Sequence, residues 1–463
     1  MKKLASMILL CTLLVLTMPQ ARAAAPEIDA VYAAPGQQII TAADGEGADA
    51  TVLYLYADGS CRIRLFRAGQ PVSGAGGVGA LAGSVLNFRR TGDYSARSYA
   101  LDELGFVRLY PTQTYAPIPE AEVPEIWDDW SQTVDEGVDT PIEITGYTAW
   151  TEDSGFRFPA AGDKVAVLSP SALPGWDQIA AVEEGLRSWG FVPVQGRHVY
   201  ADVRTIEECL EDFREALEDP EIRAIFCVRG GYGATEVADA LPRELIAAAD
   251  KPIIGFSDIT AYQMAWAAAG LPSVHAGMSG TFAEDFPVEC AEAERRMMLG
   301  QIPAYRCPAD AYCREGTAEG VLIGGNLSTV SAALDTAYDC TKTGRPYILF
   351  LEEVGENMQH IHRYLTILKH KGVLDRAAGI VFGEWTGLPA DYTGNYGEAR
   401  GGLFDSVADM ISRQFLDGLD IPIAFGFPAG HGETNYPLLM GAKAKLEVSG
   451  ESYTLSWPAP EEN

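Results

Sequence analysis

From Lys164 onward the chain alternates short apolar runs with amphipathic stretches, at a spacing that suits a parallel sheet flanked by helices. Residues 164–168, 192–194, 223–228 and 252–254 read as strands, and residues 176–189, 206–217 and a stretch from Ala234 read as the helices between them. Parallel neighbours need crossover connections, and such sheets bind ligands at the carboxyl ends of their strands. Two glycine-bearing loops fall at such ends. One is Arg229-Gly230-Gly231-Tyr232-Gly233 and the other is Gly255-Phe256-Ser257-Asp258.

The second loop carries a serine at a corner. After the apolar run ending at Ile254, residues 258–269 place Ile259, Tyr262, Trp266 and Ala269 on one helical face, and Gly270 and Pro272 close the helix. A serine on a tight strand-to-helix turn lifts its hydroxyl off the sheet. The backbone N–H groups behind it open at a helix N-terminus, where negative charge is stabilised. That geometry suits acyl transfer. A serine helix cap fits the same segment, and the G-x-S-x-G pattern is incomplete because Ile259 and Thr260 follow. From these residues alone, both roles stay open.

The start of the chain reads as an address. Lys2 and Lys3 precede an apolar run from Leu4 to Met18, and Ala21-Arg22-Ala23 offers a cleavage site, so residues 1–23 are expected to be a secretory signal peptide and the mature protein to be exported. The formal charge of −30 falls further once that leader is removed, which argues against nucleic acid and anionic membranes as partners. The seven cysteines beyond the leader are scattered and form neither a dense disulfide framework nor a metal signature. A bridge between Cys307 and Cys313 across a short loop is one expectation.

Before Lys164 the texture differs. Residues 51–56, Asp58-Gly59 and residues 61–66 read as a hairpin, and residues 24–110 as a small all-β domain. Residues 111–160, with Pro117, Pro119, Pro124 and many carboxylates around Trp127 and Trp130, read as a linker or lid. The expected fold class is α/β. A parallel-sheet domain carries the serine elbow over residues 161–305, and a second α/β domain over residues 306–463 contains Gly324-Gly325-Asn326, a strand at 347–351 ending in Glu352-Glu353, a helix over 358–371 and a strand at 379–382.

A serine hydroxyl needs a base, and the base is best held in one tautomer by a carboxylate. Of six histidines, only His431 sits in a glycine-flanked turn after a strand, Gly430-His431-Gly432. Glu352 ends an apolar strand and would need a partner if buried, while Glu353 should point the other way. An exposed pair of carboxylates and a structural histidine are the ordinary alternatives. His360 and His362 face apart on a helix, so no metal or cofactor is expected.

Five ordered landmarks together resemble the LD-carboxypeptidase family, which includes muramoyl-tetrapeptide carboxypeptidases and microcin C self-immunity peptidases. They are Arg229-Gly-Gly-Tyr-Gly, Gly255-Phe-Ser-Asp-Ile-Thr, Gly324-Gly-Asn-Leu, Leu349-Phe-Leu-Glu-Glu with Glu356 and Arg363, and Pro428-Ala-Gly-His-Gly with Asn435. The similarity spans residues 164–457. His275-Ala276-Gly277-Met278 stands where the family usually has His-Gly-Pro-Met.

The resemblance implies Ser257 as nucleophile, His431 as general base and acid, and Glu352 as the residue orienting His431. The backbone N–H groups of Gly231 and Asp258 would form the oxyanion hole. It further implies a metal-independent, commonly dimeric enzyme that cleaves the amide between an L-centre diamino acid and the terminal D-alanine of a murein tetrapeptide. An amidase acting on a peptide conjugate, or an exported wall- or solute-binding protein, are the rival expectations. The β domain would be free to bind wall polymer or a protein partner.

Overall fold

The computed structural model describes residues 142–150, 156–200, 205–283, 286–389 and 404–458 with their side chains; before residue 142 it describes the backbone of nine strands. The chain divides into two units, residues 1–131 and 132–463. The expected leader, Trp127 and Trp130 lie outside the described residues.

In the first unit, β1 (Ile28–Ala33), β2 (Ala50–Tyr56), β3 (Ser60–Arg67), β4 (Gln70–Ala82), β5 (Val85–Arg90), β6 (Ala96–Ala100), β7 (Val107–Tyr110) and β8 (Gln113–Pro117) pair in the order β6-β5-β4-β3-β2-β1-β8-β7. The hairpin read from the sequence is β2 with β3, antiparallel, with Leu55 opposite Cys61.

The second unit contains two sheets. Residues 111–160, expected to be a linker, contribute to both units: β8 belongs to the first, while β9 (Thr133–Glu136) and β10 (Glu143–Ala149) join the larger sheet of the second. The reason is visible in β10. It lies at the sheet edge with most of its side chains exposed, so it lacks the apolar alternation that reveals a half-buried strand.

The smaller sheet has the order β12-β11-β13-β14-β15-β21, from β11 (Lys164–Leu168), β12 (Val192–Gln195), β13 (Ile222–Cys227), β14 (Ile253–Gly255), β15 (Ser273–His275) and β21 (Leu438–Met440). The first five strands are parallel; β21 runs antiparallel to β15. Strand order reverses at β11, so the loops after β11 and β13 diverge around a crevice at the carboxyl edge. The larger sheet runs β10-β16-β23-β22-β17-β18-β19-β20, with β9 added beside β19. Its further members are β16 (Gln301–Pro308), β17 (Gly316–Asn326), β18 (Tyr347–Val354), β19 (Gly379–Pro389), β20 (Ile423–Ala424), β22 (Lys443–Ser449) and β23 (Ser452–Ser456). The expected domain boundary between residues 305 and 306 therefore falls inside β16. Likewise, β21 comes from the C-terminal half of the chain yet completes the sheet of the N-terminal half.

The helix Thr260–Ala269 lies between the sheets. The sequence suggests one apolar face, but residues 260–267 are all buried, the state of a helix covered on every side. Three of its side-chain donors reach backbone carbonyls. Tyr262 donates to the Pro170 carbonyl at 2.7 Å, Trp266 to the Lys251 carbonyl at 2.7 Å, and Gln263 to the Gly255 carbonyl at 2.9 Å. Lys251 is itself buried. Its Nζ donates to the carbonyls of Ala216, Leu217 and Asp219 at 2.6–2.8 Å, closing the helix Ile206–Glu218, and burial pushes its ammonium down to about 8.

Cys307 and Cys313 are both free thiols, contrary to the expected bridge. Cys307 is buried, and the Cys313 sulfur instead accepts from the Phe425 N–H at 3.3 Å.

Glu294, on the helix Val288–Met298, is fully buried with one oxygen bonded to Thr281 Oγ1 at 2.8 Å, and burial pushes its carboxyl up to about 8. The folded state therefore favours the neutral acid. Stability from this group is fully present below the ordinary value near 4.5 and is lost as pH rises through about 8. Glu294→Gln keeps an acceptor for Thr281 and cannot ionise. Its unfolding free energy, measured in urea at pH 5 and pH 8, should decline less over that interval than the wild type's, by about 2–4 kcal/mol.

Candidate active site

Ser257 sits where β14 ends and the buried helix begins. The corner is built from Gly255 at φ 153°, an extended Phe256, and Ser257 at φ 65°, followed by the short turn Ser257–Ile259. Two other described non-glycine residues have positive φ, Asp250 and Asp335. Both are aspartates just past helix ends, where the left-handed conformation is common. Ser257 instead holds it at a strand-to-helix corner, at a cost of about 1–2 kcal/mol. Backbone strain of this kind concentrates at functional sites. The glycine at 255 is needed because a β-carbon there would lie 3.1 Å from the Ile259 side chain and 3.3 Å from Cys227 Cβ.

The neighbouring loops are tied to this corner through Asp258. Its Oδ2 accepts from Ser171 Oγ at 2.5 Å, on the loop after β11, and from the Ala234 N–H at 2.9 Å, just beyond the glycine loop after β13. Burial pushes the Asp258 carboxyl up, and these two bonds pull it down. Gly230 and Gly231 bring the glycine loop close. A β-carbon at Gly230 would lie 2.8 Å from Ser257 Cβ and 3.0 Å from its Oγ; one at Gly231, φ 132°, would strike Ala172 at 2.3 Å. Gly230→Ala should therefore displace the serine and lower kcat by about a hundredfold, with far-UV circular dichroism unchanged. Tyr232, 82 % exposed, and Trp176, 70 % exposed and stacked on Tyr200 at 4.2 Å, project from the carboxyl edge near this corner.

Strand β18 supplies the carboxylates. Its residues from Tyr347 to Glu353 are buried, so alternation sends Glu352 and Glu353 to opposite buried faces instead of to solvent. Glu352 Oε2 lies 2.8 Å from His431 Nδ1. A carboxylate can only accept, so Nδ1 carries the proton in that bond and Nε2 remains the basic nitrogen. Glu353 accepts from Asn326 Nδ2 at 2.7 Å, Ser328 N at 2.8 Å and Val354 N at 3.0 Å. Burial, aided by the charge of Glu352, pushes its carboxyl up to about 7. Asn326 in turn donates its backbone N–H to Thr260 Oγ1 at 3.0 Å, which ties the Gly324-Gly325-Asn326 landmark to the first turn of the helix behind Ser257.

His431 needs its flanking glycines. A β-carbon on Gly430, φ 145°, would lie 3.1 Å from Glu352 Oε2, and one on Gly432 would lie 2.3 Å from Glu384 Oε2. The Gly430 N–H donates to Asn435 Oδ1 at 3.2 Å and the Gly432 N–H to Glu384 Oε2 at 3.0 Å, pinning the turn from both sides. The imidazole packs on Phe256, the residue before Ser257, with ring centroids 4.7 Å apart. Glu352, His431 and the serine corner, far apart in the chain, thus converge. Ser171 and Glu384 carry no signal in the sequence, because their partners are distant in the chain; His275 is marked there only as the first residue of His275-Ala276-Gly277-Met278, with no role attached.

His360 binds Glu356 at 2.5 Å and His362 packs on Phe415, away from one another on the helix Met358–His370. Among the described residues no cluster of three His, Cys, Asp or Glu side chains could hold a metal ion. No described helix is long and apolar enough to cross a membrane.

Two family models match, those of the LD-carboxypeptidase N-terminal domain over residues 165–276 and of the C-terminal domain over residues 319–446. The chain belongs to the LD-carboxypeptidase family. It is accordingly a hydrolase of a peptidase family. A Streptomyces coelicolor protein named as a carboxypeptidase is 32% identical over 313 residues, covering 65% of this chain and 95% of the relative. The murein tetrapeptide carboxypeptidase of Pseudomonas aeruginosa is 28% identical over 300 residues, covering 61% and 94%. The muramoyltetrapeptide carboxypeptidase of Oxalobacter formigenes shares the fold, with a TM-score of 0.55 at 23% identity, over 64% of this chain and all of that structure. The LD-carboxypeptidase models leave residues 1–164 unmatched.

Proposed function

We propose that this LD-carboxypeptidase relative is a serine enzyme that removes the terminal D-alanine from murein tetrapeptides through an acyl-enzyme. The observation that carries the reading is the strained left-handed Ser257 beside the pair of buried Glu352 and partly exposed His431, whose imidazole packs on the residue preceding the serine. The names of the Pseudomonas and Oxalobacter relatives support the substrate class.

In this mechanism Ser257 Oγ attacks the carbonyl carbon of the L-centre and passes its proton to His431 Nε2. Glu352 holds the imidazole and stabilises its charge. The oxygen of the tetrahedral intermediate takes hydrogen bonds from the backbone N–H groups of Gly231 and Asp258. Collapse expels D-alanine, whose amine takes the proton from His431. Water then attacks the ester, giving its proton to His431, and Ser257 is released with its own proton restored. The Asp258 side chain, bonded to Ser171 Oγ and the Ala234 N–H, ties the loop that carries the Gly231 N–H to the serine corner that carries the Asp258 N–H.

We place this chemistry outside the membrane on the strength of the leader pattern in residues 1–23. A second reading, hydrolysis of a peptide conjugate, is supported by similarity to the microcin C7 self-immunity protein of Escherichia coli, 23% identical over 64% of this chain and 94% of that protein. A substrate panel separates the two. The purified mature chain is offered muramoyl tetrapeptides with diaminopimelate or lysine stems and, separately, an aspartyl sulfamoyl adenosine. Turnover of the tetrapeptides in preference supports the murein reading; turnover of the conjugate alone overturns it.

A further inference from the structure

His275 ends β15 in register with Gly255, directly beside the serine corner, and is fully buried. Its ring contacts Phe256 at 5.7 Å and Phe350 at 5.1 Å, both edge-to-face. Phe350 precedes Glu352 by two residues on β18, so strand alternation puts Phe350 and Glu352 on one face, the face that His275 packs against. Phe256 also carries the His431 ring, so His275, Phe256 and His431 form one aromatic row behind Ser257.

Two vacancies in hydrogen bonding coincide there. Neither ring nitrogen of His275 has a partner, and neither has Glu352 Oε1, although Oε2 is bonded to His431. A buried polar ring without a partner is costly, and an apolar residue would fill the same space more cheaply. We infer that His275 is a positioning residue for Glu352, its imidazole serving Oε1 across one bridging water and thereby fixing the carboxylate that orients His431. This rests on the Ser257–His431–Glu352 reading.

Burial pushes the His275 imidazole down to about 4, so it is neutral near pH 7 and carries one N–H to give. The titratable groups that face it are Glu352 on β18 and His431 on the Gly430–Gly432 turn. The flanking strands β14 and β21 present Gly255 and Leu438, which do not titrate. Loss of the His275 donor would leave the Glu352 carboxylate less supported, so activation of Ser257 would fail sooner on the acid side.

The test uses a fluorophosphonate, which reports activation of Ser257 without any assumption about the natural substrate. The full mature chain and its His275→Phe and His275→Asn variants are labelled across pH 5–9, with thermal unfolding recorded for each. His275→Phe keeps a ring and removes both nitrogens; labelling should slow by about tenfold or more and its acid limb should move to higher pH. His275→Asn restores a donor and should recover much of the rate. Equal rates and an unmoved acid limb in His275→Phe, or slowing that tracks only lost thermal stability with no recovery in His275→Asn, overturn the inference and leave the triad intact. Absence of labelling at Ser257 in the wild type overturns the triad reading itself.

Discussion

His431→Ala is expected to lower kcat for D-alanine release by about a millionfold, while KM changes little. The imidazole is the only described basic side chain bonded to the carboxylate on the serine side of β18, and the turn that carries it is pinned by Asn435 and Glu384. Truncation leaves those pins in place, so the loss should be chemical and not structural. Adding Ser257→Ala to this variant should cost almost nothing more, because in the proposed mechanism the two groups act on one proton. Steady-state kinetics on the single and double variants check both points. A double variant far slower than either single one would show that the two residues act independently.

Glu352→Gln should cost about ten-thousandfold in kcat. The carboxamide can turn its NH2 toward His431 Nδ1, which then becomes an acceptor and moves the ring proton to Nε2, the nitrogen required as base. Glu352 is completely buried and its Oε2 would lie 3.1 Å from a β-carbon on Gly430, so the carboxamide has little room to swing aside. Fold and KM should be retained, and urea unfolding beside the kinetics checks this. A loss below about tenfold would mean that Glu352 is a structural carboxylate and that another group holds the imidazole.

The serine corner was legible because its cause is local: an apolar strand, a glycine and a helical pattern within a few residues. The glycines around His431 were legible for the same reason, although the need for them comes from Glu352 and Glu384, which are distant in sequence. Glu352 could be separated from Glu353 by alternation alone, yet that rule does not reveal that both faces of β18 are buried. The burial of residues 260–267 on every side of their helix was hidden because the sheet that covers its second side is built mostly from residues beyond 300. β10 was hidden because its exposed side chains carry no apolar rhythm, and β21 because three residues are too few to show one. His275 reads as a histidine after a short strand, at the start of a segment that departs from the family's pattern, and no role follows from that. Its interest lies in the absence of bonds, and that is a property of the folded arrangement only.

Burial of ionisable groups also bears on pH. Glu294 and Glu353 are both pushed up by burial, to about 8 and about 7, so each contributes stability below its ordinary carboxylate value that is lost as pH rises through those figures. His275 acts in the opposite sense. Its imidazole is held down to about 4, so its contribution is present above about 6.5 and is lost as pH falls toward 4.

The central claim, that Ser257 is the nucleophile of a carboxypeptidase, is tested most directly by incubating the mature chain and its Ser257→Ala variant with muramoyl tetrapeptides and measuring released D-alanine. The account predicts release by the wild-type chain and a rate for the variant lower by several orders of magnitude. Equal release by the two proteins, or none by the wild type across diaminopimelate and lysine stems, would contradict it.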